Sequence, residues 1–485
     1  MVKKLLMVIA ALALIVPLAA CHGPAPEEVV ITTASLPEGI FNNTYGASLA
    51  ASGGTGEYIW SVASGALPEG LNLSSAGAIS GTPTSNGTSS FTVQAASGEA
   101  TATESLSILV HETVPIGCVC AKTGDLGPMG LKMFQGAELA VAEINAQGGI
   151  NGAMIDLLEE DDATDPAKSL ERVKKLAEVD GVKVSIGAWF GGSSQAIAPY
   201  AEANKIVMVS PSCTVAPSIL YEQGWREYVF HVCLHDGLQG QVLAKIAHDN
   251  NYTRAAAIVQ DTPYGIGLGE AFFDALDEYN ITHMDNVVTY DRATKDYLTQ
   301  LEQIKSWGPD VVLLVSYCDD GIIVFKQASE QGMGLDNGIA WLGCDGNYGS
   351  GMFADPTCAA FMASSLVAGT SSAGPSPEEY APYANFITAY TAAYNASPEV
   401  YCDAMYDCVK LTAAAVEKAG IYDGKAIRDS LMEVGQNYQG ATGVISWDEG
   451  GNRISGTFEI WKVRETAPGE YENYRVGLVP VPLEE

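Results

Sequence analysis

The chain has 485 residues and carries 58 Asp plus Glu against 25 Lys plus Arg, a formal net charge of −33. At about 150 residues per domain that length holds roughly three folding units, and so acidic a surface repels phosphates, which argues against a nucleic-acid partner. With 47 % apolar and only 17 % charged residues, the composition is too hydrophobic for disorder, and a folded multi-domain protein is expected.

Residues 1–21 read as a secretion signal: a basic start at Lys3 and Lys4, an apolar run from Leu5 to Ala20, then Leu18-Ala19-Ala20-Cys21. The run is shorter than the ~20 residues a membrane-spanning helix needs. Its ending resembles the lipobox of prokaryotic lipoproteins, which implies cleavage before Cys21 and diacylglyceryl attachment to its sulfur. Membrane contact is then through the lipid anchor alone, the location is extracytoplasmic, in the periplasm or at the cell surface, and residues 22–28 form a tether. Nine cysteines follow Cys21, an odd number in a compartment where disulfides can form, so at least one stays free. There is no Cys-x-x-Cys pair and no pairing is assigned. Cys118, Cys120, Cys213, Cys318 and Cys344 lie in or just after apolar runs and are read as small buried hydrophobes.

Residues 29–112 are rich in Ser, Thr, Ala and Gly. Short alternating runs such as Tyr58-Ile59-Trp60-Ser61-Val62 and Phe91-Thr92-Val93 lie between turn residues, an all-β pattern. Gly70, Gly77 and Gly81 supply turn conformations, while Leu71, Leu73 and Ile79 alternate toward a core. Leu67 to Ala95, with Leu-Pro-x-Gly-Leu followed by Gly-x-Ile-x-Gly-Thr-Pro, resembles the Ig-like or cadherin-like modules of prokaryotic surface proteins. No polar cluster points to chemistry there, so a spacer role is preferred over glycan or protein binding.

From Val114 onward apolar β runs alternate with helical stretches. Phe134, Ala137, Val141 and Ile144 recur at helical spacing until Gly148-Gly149 stops them. A strand follows near Met154–Glu159, then a helix opened by Asp165 as cap and Pro166 as first residue, then a strand at Val182–Gly187. Further strands are predicted at Ile206–Val209, Ala255–Val259, Val287–Tyr290, Val311–Tyr317 and Ile339–Gly343. Such β-α alternation implies parallel sheets covered on both faces. About 370 residues of it exceed one core, so two α/β lobes are expected.

Several chemistries find no support. There is no phosphate-binding Gly-x-x-x-x-Gly-Lys-Ser/Thr loop, and Tyr264 to Glu270 misses the dinucleotide spacing because Glu270 replaces the third glycine. Neither a Gly-x-Ser-x-Gly elbow nor His-Glu-x-x-His occurs. His231, Cys233 and His235 alternate and would face one way in a strand, but a separation of about 6.8 Å is wide for one tetrahedral ion. No metal, no cofactor and no enzymatic activity are expected.

Taken in order, Thr123-Gly124-Asp125, Gly136-Ala137, Ile144-Asn145, Gly148-Gly149-Ile150-Asn151-Gly152, Glu160-Asp161-Asp162, Asp165-Pro166-Ala167, Gly187, Val209-Ser210-Pro211, Tyr264-Gly265 and Tyr406-Asp407-Cys408-Val409 carry a resemblance. The chain from Val114 to about Val463 resembles the leucine/isoleucine/valine-binding family of periplasmic (type I) solute-binding proteins of ABC importers. The resemblance implies two Rossmann-like lobes joined by three crossing segments, about 114–234 with 368–452 and about 235–367 with 453–485 within a domain 114–485. The ligand is trapped as the lobes close.

The cleft edge of such lobes gathers helix N-termini, whose free amides favour an anion. In Gly191-Gly192-Ser193-Ser194, the glycines allow close backbone approach and Ser193 or Ser194 can cap the helix or hydrogen-bond a carboxylate; the family usually has Ser where Gly191 stands. The resemblance further places Ser212, Thr214, Tyr264 and Tyr317 around the ligand, Asp345 where an acid pairs with its ammonium, and Met129, Trp189 and Phe190 near its side chain. The function implied is capture of an amino acid, branched-chain or hydrophobic, by hinge closure and delivery to an ABC permease. A receptor for an amide, urea or aromatic acid on the same scaffold is the alternative, and surface adhesion through the β module a third reading.

Overall fold

Period-two burial organises the N-terminal module. In the computed structural model, which describes residues 27–216 and 227–483, a long hairpin of Gly87–Ser97 and Ala100–His111 is extended by Ile59–Gly65 on one side and Gly39–Ile40 on the other. A second sheet of Tyr45–Ser48, Ala78–Gly81 and Leu71–Leu73 faces it. Phe91, Val93 and Ala95 turn inward from alternate positions and meet Tyr45, Leu71 and Ile79, with Leu73 packed at the margin. Gly70, at φ +92°, cannot be replaced cheaply, because a Cβ there would lie 2.0 Å from the carbonyl oxygen of Thr82. The signal sequence and the proposed lipidation at Cys21 lie outside the described residues.

The module is seated on the α/β part rather than strung from it. Ile40 is buried in the core of the first lobe, and Ile421 of that lobe, half-buried, packs against the module's core. Glu38 accepts from the Tyr422 amide at 2.9 Å and pairs with His111 at 2.6 Å and Lys183 at 3.1 Å.

Two separate cores carry the rest. The first lobe is built on a five-stranded parallel sheet in the order Ile155–Asp161, Val114–Cys120, Val184–Ile186, Val207–Ser210, Val229–His231. The helix Gly127–Ala146 buries Phe134 and Ala137 and packs Val141 and Ile144 against the core margin. The next helix, Pro166–Glu178, starts where Asp165 accepts from the amides of Ala167 and Lys168, as the sequence signals it.

In the second lobe Arg254–Gln260, Val311–Val315, Ala340–Gly343 and Leu366–Ser372 run parallel, and the antiparallel hairpin Gly456–Ala467 with Glu470–Val481 completes the sheet. The glycine-rich run after Tyr264 lies inside the helix Pro263–Glu278, and Gly265 lets that helix approach Gln260, whose carbonyl oxygen would stand 2.2 Å from a Cβ. The chain passes between the lobes three times: between Val229–His231 and Asp236–Asp249, between Leu366–Ser372 and Ala381–Tyr394, and between Gly443–Ile445 and Gly456–Ala467.

Candidate functional site

Both sheets aim the carboxyl ends of their strands at one cleft. In the first sheet the strand order turns back between Val114–Cys120 and Val184–Ile186, and a doubly wound sheet opens a crevice at such a switch point. The exits of those strands bring Leu126, Met129, Trp189, Phe190 and Gly191 to the cleft, and the exit of Val207–Ser210 brings Ser212 and Thr214. Opposite them, three second-lobe strand exits supply Tyr264, Tyr317, Asp345 and Gly346. The pocket spans about 390 Å³ of space between these side chains, part of it open to solvent. Among the described residues, its lining includes no Lys, Arg or His.

Asp345 is the charged centre of this cavity and is only 5 % exposed. One oxygen accepts from Tyr264 Oη at 2.9 Å and from Gln239 Nε2 at 3.1 Å; the other accepts from Tyr401 Oη at 2.9 Å. Burial pushes its carboxyl above the usual range, while the bonds from Tyr401, Gln239 and Tyr264 oppose that shift. Tyr401 belongs to the first lobe, so its bond to Asp345 crosses the cleft. Burial also pushes the phenols of Tyr264, Tyr317 and Tyr401 upward, so all three remain protonated donors. Tyr264 and Tyr317 stack with centroids 5.6 Å apart and planes within 7°, which fixes one apolar wall.

Of the residues singled out in the sequence, Gly191, Ser212, Thr214, Tyr264, Tyr317, Asp345, Met129, Trp189 and Phe190 meet at this cavity. Ser193 and Ser194 do not line it. Ser194 Oγ donates to the carbonyl of Ala188 at 3.1 Å, and Ser193 Oγ is buried with no hydrogen-bond partner. Ser212 Oγ donates to Trp189 O at 2.8 Å, tying together two loops of the wall. Gly191 has a steric reason to lack a side chain: a Cβ would sit 2.5 Å from Val215 Cγ2 and 3.6 Å from the Tyr264 amide of the other lobe.

Three groups at the site are absent from the sequence reading. Tyr401 reaches Asp345 from a left-handed backbone, φ +65°. Gln239 orients Asp345 while also donating to Thr370. Asp236 is fully buried, its amide bonded to the Thr214 carbonyl at 2.7 Å, and neither carboxylate oxygen makes a hydrogen bond of ordinary geometry. Burial, and then the charge of Asp345, push its carboxyl far up, with the nearby Thr214 hydroxyl opposing. The signal that could have found it is an acid opening a helix directly after a strand exit, His231 to Asp236, where attention falls on the histidines instead.

Those histidines have other surroundings. His231 Nδ1 bonds Asn452 at 3.1 Å and burial pushes its ring down to about 4, while Cys233 Sγ donates to the Cys213 carbonyl. Among the described residues no cluster of His, Cys, Asp or Glu is placed to hold a metal, and no helix is long and apolar enough to cross a membrane. The nine cysteines of the described residues are free thiols; Cys118, Cys120, Cys213 and Cys344 are buried and Cys318 half-buried.

Comparison with known proteins agrees with this geometry. The family model described as "Periplasmic binding protein" matches residues 113–468, and the one described as "Putative Ig domain" matches residues 28–111. The Leu/Ile/Val-binding protein BraC3 of Rhizobium johnstonii is 30 % identical over 357 residues, covering 73 % of this chain and 92 % of its own. Among solved structures, the branched-chain amino acid transporter substrate binding protein LivJ of Streptococcus pneumoniae, in complex with isoleucine, superposes with a TM-score of 0.62 at 24 % identity, over 75 % of this chain and 100 % of its own. An ABC transporter solute binding protein of R. palustris in complex with benzoate gives 0.63 at 18 % identity, over 77 % and 98 %. Both share the two-lobed type I fold.

Proposed function

The chain belongs to the periplasmic binding protein family, and from that premise we propose that it captures an α-amino acid with an apolar side chain in the interlobe cleft and hands it to an ABC permease. The observation that carries this reading is Asp345, a buried carboxylate facing a cavity whose lining, among the described residues, holds no Lys, Arg or His. A buried acid without a charged partner is costly, and a ligand ammonium offsets that cost. Asp236 stands close enough to raise the demand for a positive nitrogen. Across the cavity, Ser212, Thr214 and the amides at the start of the helix Gly191–Asn204 offer the polarity a carboxylate prefers. Leu126, Met129, Trp189 and Phe190 leave an apolar surface for the side chain.

In this reading the protein does no covalent chemistry: closure buries the ligand and the permease selects the closed form. A lipid on Cys21 holds it at the outer face of the membrane. The name of the Rhizobium relative and the isoleucine complex of LivJ support a branched-chain ligand. The benzoate complex and the aromatic lining favour an aromatic acid as the second reading, but two buried acids disfavour any ligand bearing only negative charge. Calorimetry of the mature protein against the twenty L-amino acids and benzoate tests the proposal. Micromolar or tighter binding of leucine, isoleucine or valine is expected; binding of benzoate alone, or of no amino acid, refutes it.

A further inference from the structure

The Asp125 of Thr123-Gly124-Asp125 has no role in the cavity, yet it makes a second side-chain contact across the cleft. It lies in the loop between Val114–Cys120 and Gly127–Ala146, on the first lobe. Its carboxylate meets Arg292 Nη2 of the second lobe at 2.8 Å, with side-chain exposures of 50 % for Asp125 and 20 % for Arg292. Arg292 is itself held from its own side: Nη2 also meets Asp319 at 2.9 Å and Nε meets Asp320 at 3.2 Å. Its guanidinium lies 4.8 Å from the centroid of the Tyr317 ring, and Tyr317 stacks on Tyr264, which bonds Asp345. A continuous set of contacts therefore runs from the cleft mouth to the ligand pocket.

We propose that Arg292 and Asp125 form a latch, with Arg292 the positioning residue, that holds the two lobes together and slows ligand release. Because the acids and the ring of its own lobe already fix the guanidinium, little side-chain freedom is lost when Asp125 arrives, unlike an ordinary surface pair. Opening the cleft separates Arg292 from Asp125 but leaves its bonds to Asp319 and Asp320 intact. The pair thus acts on the open–closed equilibrium rather than on folding. The inference rests on the closure reading of the preceding section, but not on the identity of the ligand.

The test uses the full mature chain and Asp125→Asn, which keeps shape and removes charge. Hydrogen exchange of cleft-lining peptides, residues 186–194 and 344–348, is followed in protein without added ligand at low salt and at 1 M NaCl, where the screening length falls to about 3 Å. Exchange about two- to fivefold faster in the variant is expected, the range set by an ion pair of this exposure, with wild type approaching the variant at high salt and Asp125→Glu restoring slow exchange. For L-isoleucine as probe, stopped-flow tryptophan fluorescence should show the same gain in dissociation rate with an unchanged association rate. Equal exchange in wild type and Asp125→Asn, or an equal salt response in both, overturns the latch. Failure of isoleucine and every other amino acid to bind, with the exchange difference present, overturns the ligand assignment and leaves the latch standing.

Discussion

Replacing Asp345 with Asn separates the cost of holding that acid from its use. The substitution keeps volume but removes the charge: the amide oxygen still accepts from Tyr264 and Gln239, while on the other side the amide nitrogen donates to the Tyr401 hydroxyl. Without ligand the charge is a burden: burial raises the carboxyl's pKa in the folded chain, so ionised Asp345 destabilises the native state at neutral pH. Asp345→Asn is therefore expected to melt no lower than wild type. With ligand the balance reverses. A charge-assisted hydrogen bond contributes about 1.5 to 3 kcal/mol, and removing one partner of a buried pair costs about 2 to 5 kcal/mol because the other charge is stranded. Taking about 3 kcal/mol, the dissociation constant for a branched-chain amino acid rises about 100-fold. Calorimetry with L-isoleucine and a thermal melt with and without it measure both halves. A dissociation constant within threefold of wild type would show that no ammonium meets this acid, and a large drop in melting temperature without ligand would show that the carboxylate is structural.

The buried acid beside it gives a pH signature. Burial and Asp345 raise the carboxyl of Asp236, so between the ordinary aspartate range and that raised value the folded chain holds a proton the unfolded chain has lost, and stability falls as pH climbs through the window; Asp236→Asn should flatten this slope. Binding of an ammonium then expels the proton, so wild-type binding heats vary with the ionisation enthalpy of the buffer as proton release, and those of Asp236→Asn vary less; proton uptake would refute the assignment. Gly191→Ser places a Cβ 2.5 Å from Val215 Cγ2, and overpacking of about 1 to 3 kcal/mol should appear in calorimetry as weaker affinity, not as the extra ligand contact the family's serine would imply. Ser193→Ala removes a hydroxyl with no partner and is expected to be neutral or stabilising, whereas Ser194→Ala loses the bond to Ala188 and about 1 kcal/mol of stability in a denaturant titration; neither should change affinity more than about twofold.

What could be read from the sequence follows the range of the interactions involved. Strands and helices of the two lobes are specified by local patterns: the run Val311 to Val315 is apolar throughout because that strand is buried on both faces, and Asp165-Pro166 marks a helix start whatever surrounds it. Asp345, Tyr264 and Tyr317 come within reach through the family resemblance, and Tyr317 and Asp345 also lie just past the ends of the strands Val311–Val315 and Ala340–Gly343. Tyr401 does not, since its bond to Asp345 spans 56 residues and depends on a left-handed turn that no local pattern requires. Asp236 reads locally as an ordinary acid opening a helix; the groups that act on it, Thr214 and Asp345, belong to two different lobes. Ser193 and Ser194 neighbour Gly191 in sequence, but each helical residue turns the side chain by about 100°, and the turn carries both hydroxyls away from the cavity. The seating of the β module was likewise hidden, because Ile40 and Ile421 are single residues that exchange cores across the junction.

That seating bears on which half of the molecule moves. Every contact described between the module and the α/β part falls on the first lobe: Ile40 in its core, Glu38 on Lys183 and the Tyr422 amide, the His111 ring on Tyr422 at 5.0 Å. A buried isoleucine is worth about 2 to 5 kcal/mol against truncation, enough to make the module and first lobe one rigid body over the range of a hinge motion. Among the described residues, the second lobe is joined to the first by the three crossing segments and the cleft contacts. Closure is then the swing of the lobe that carries Asp345 and Arg292 onto a stationary partner that carries Asp125, Tyr401 and the helix amides. In that reading a zwitterion docks first against the helix amides and Tyr401, and closure then brings Asp345 onto its ammonium, which offsets the cost of the buried acid.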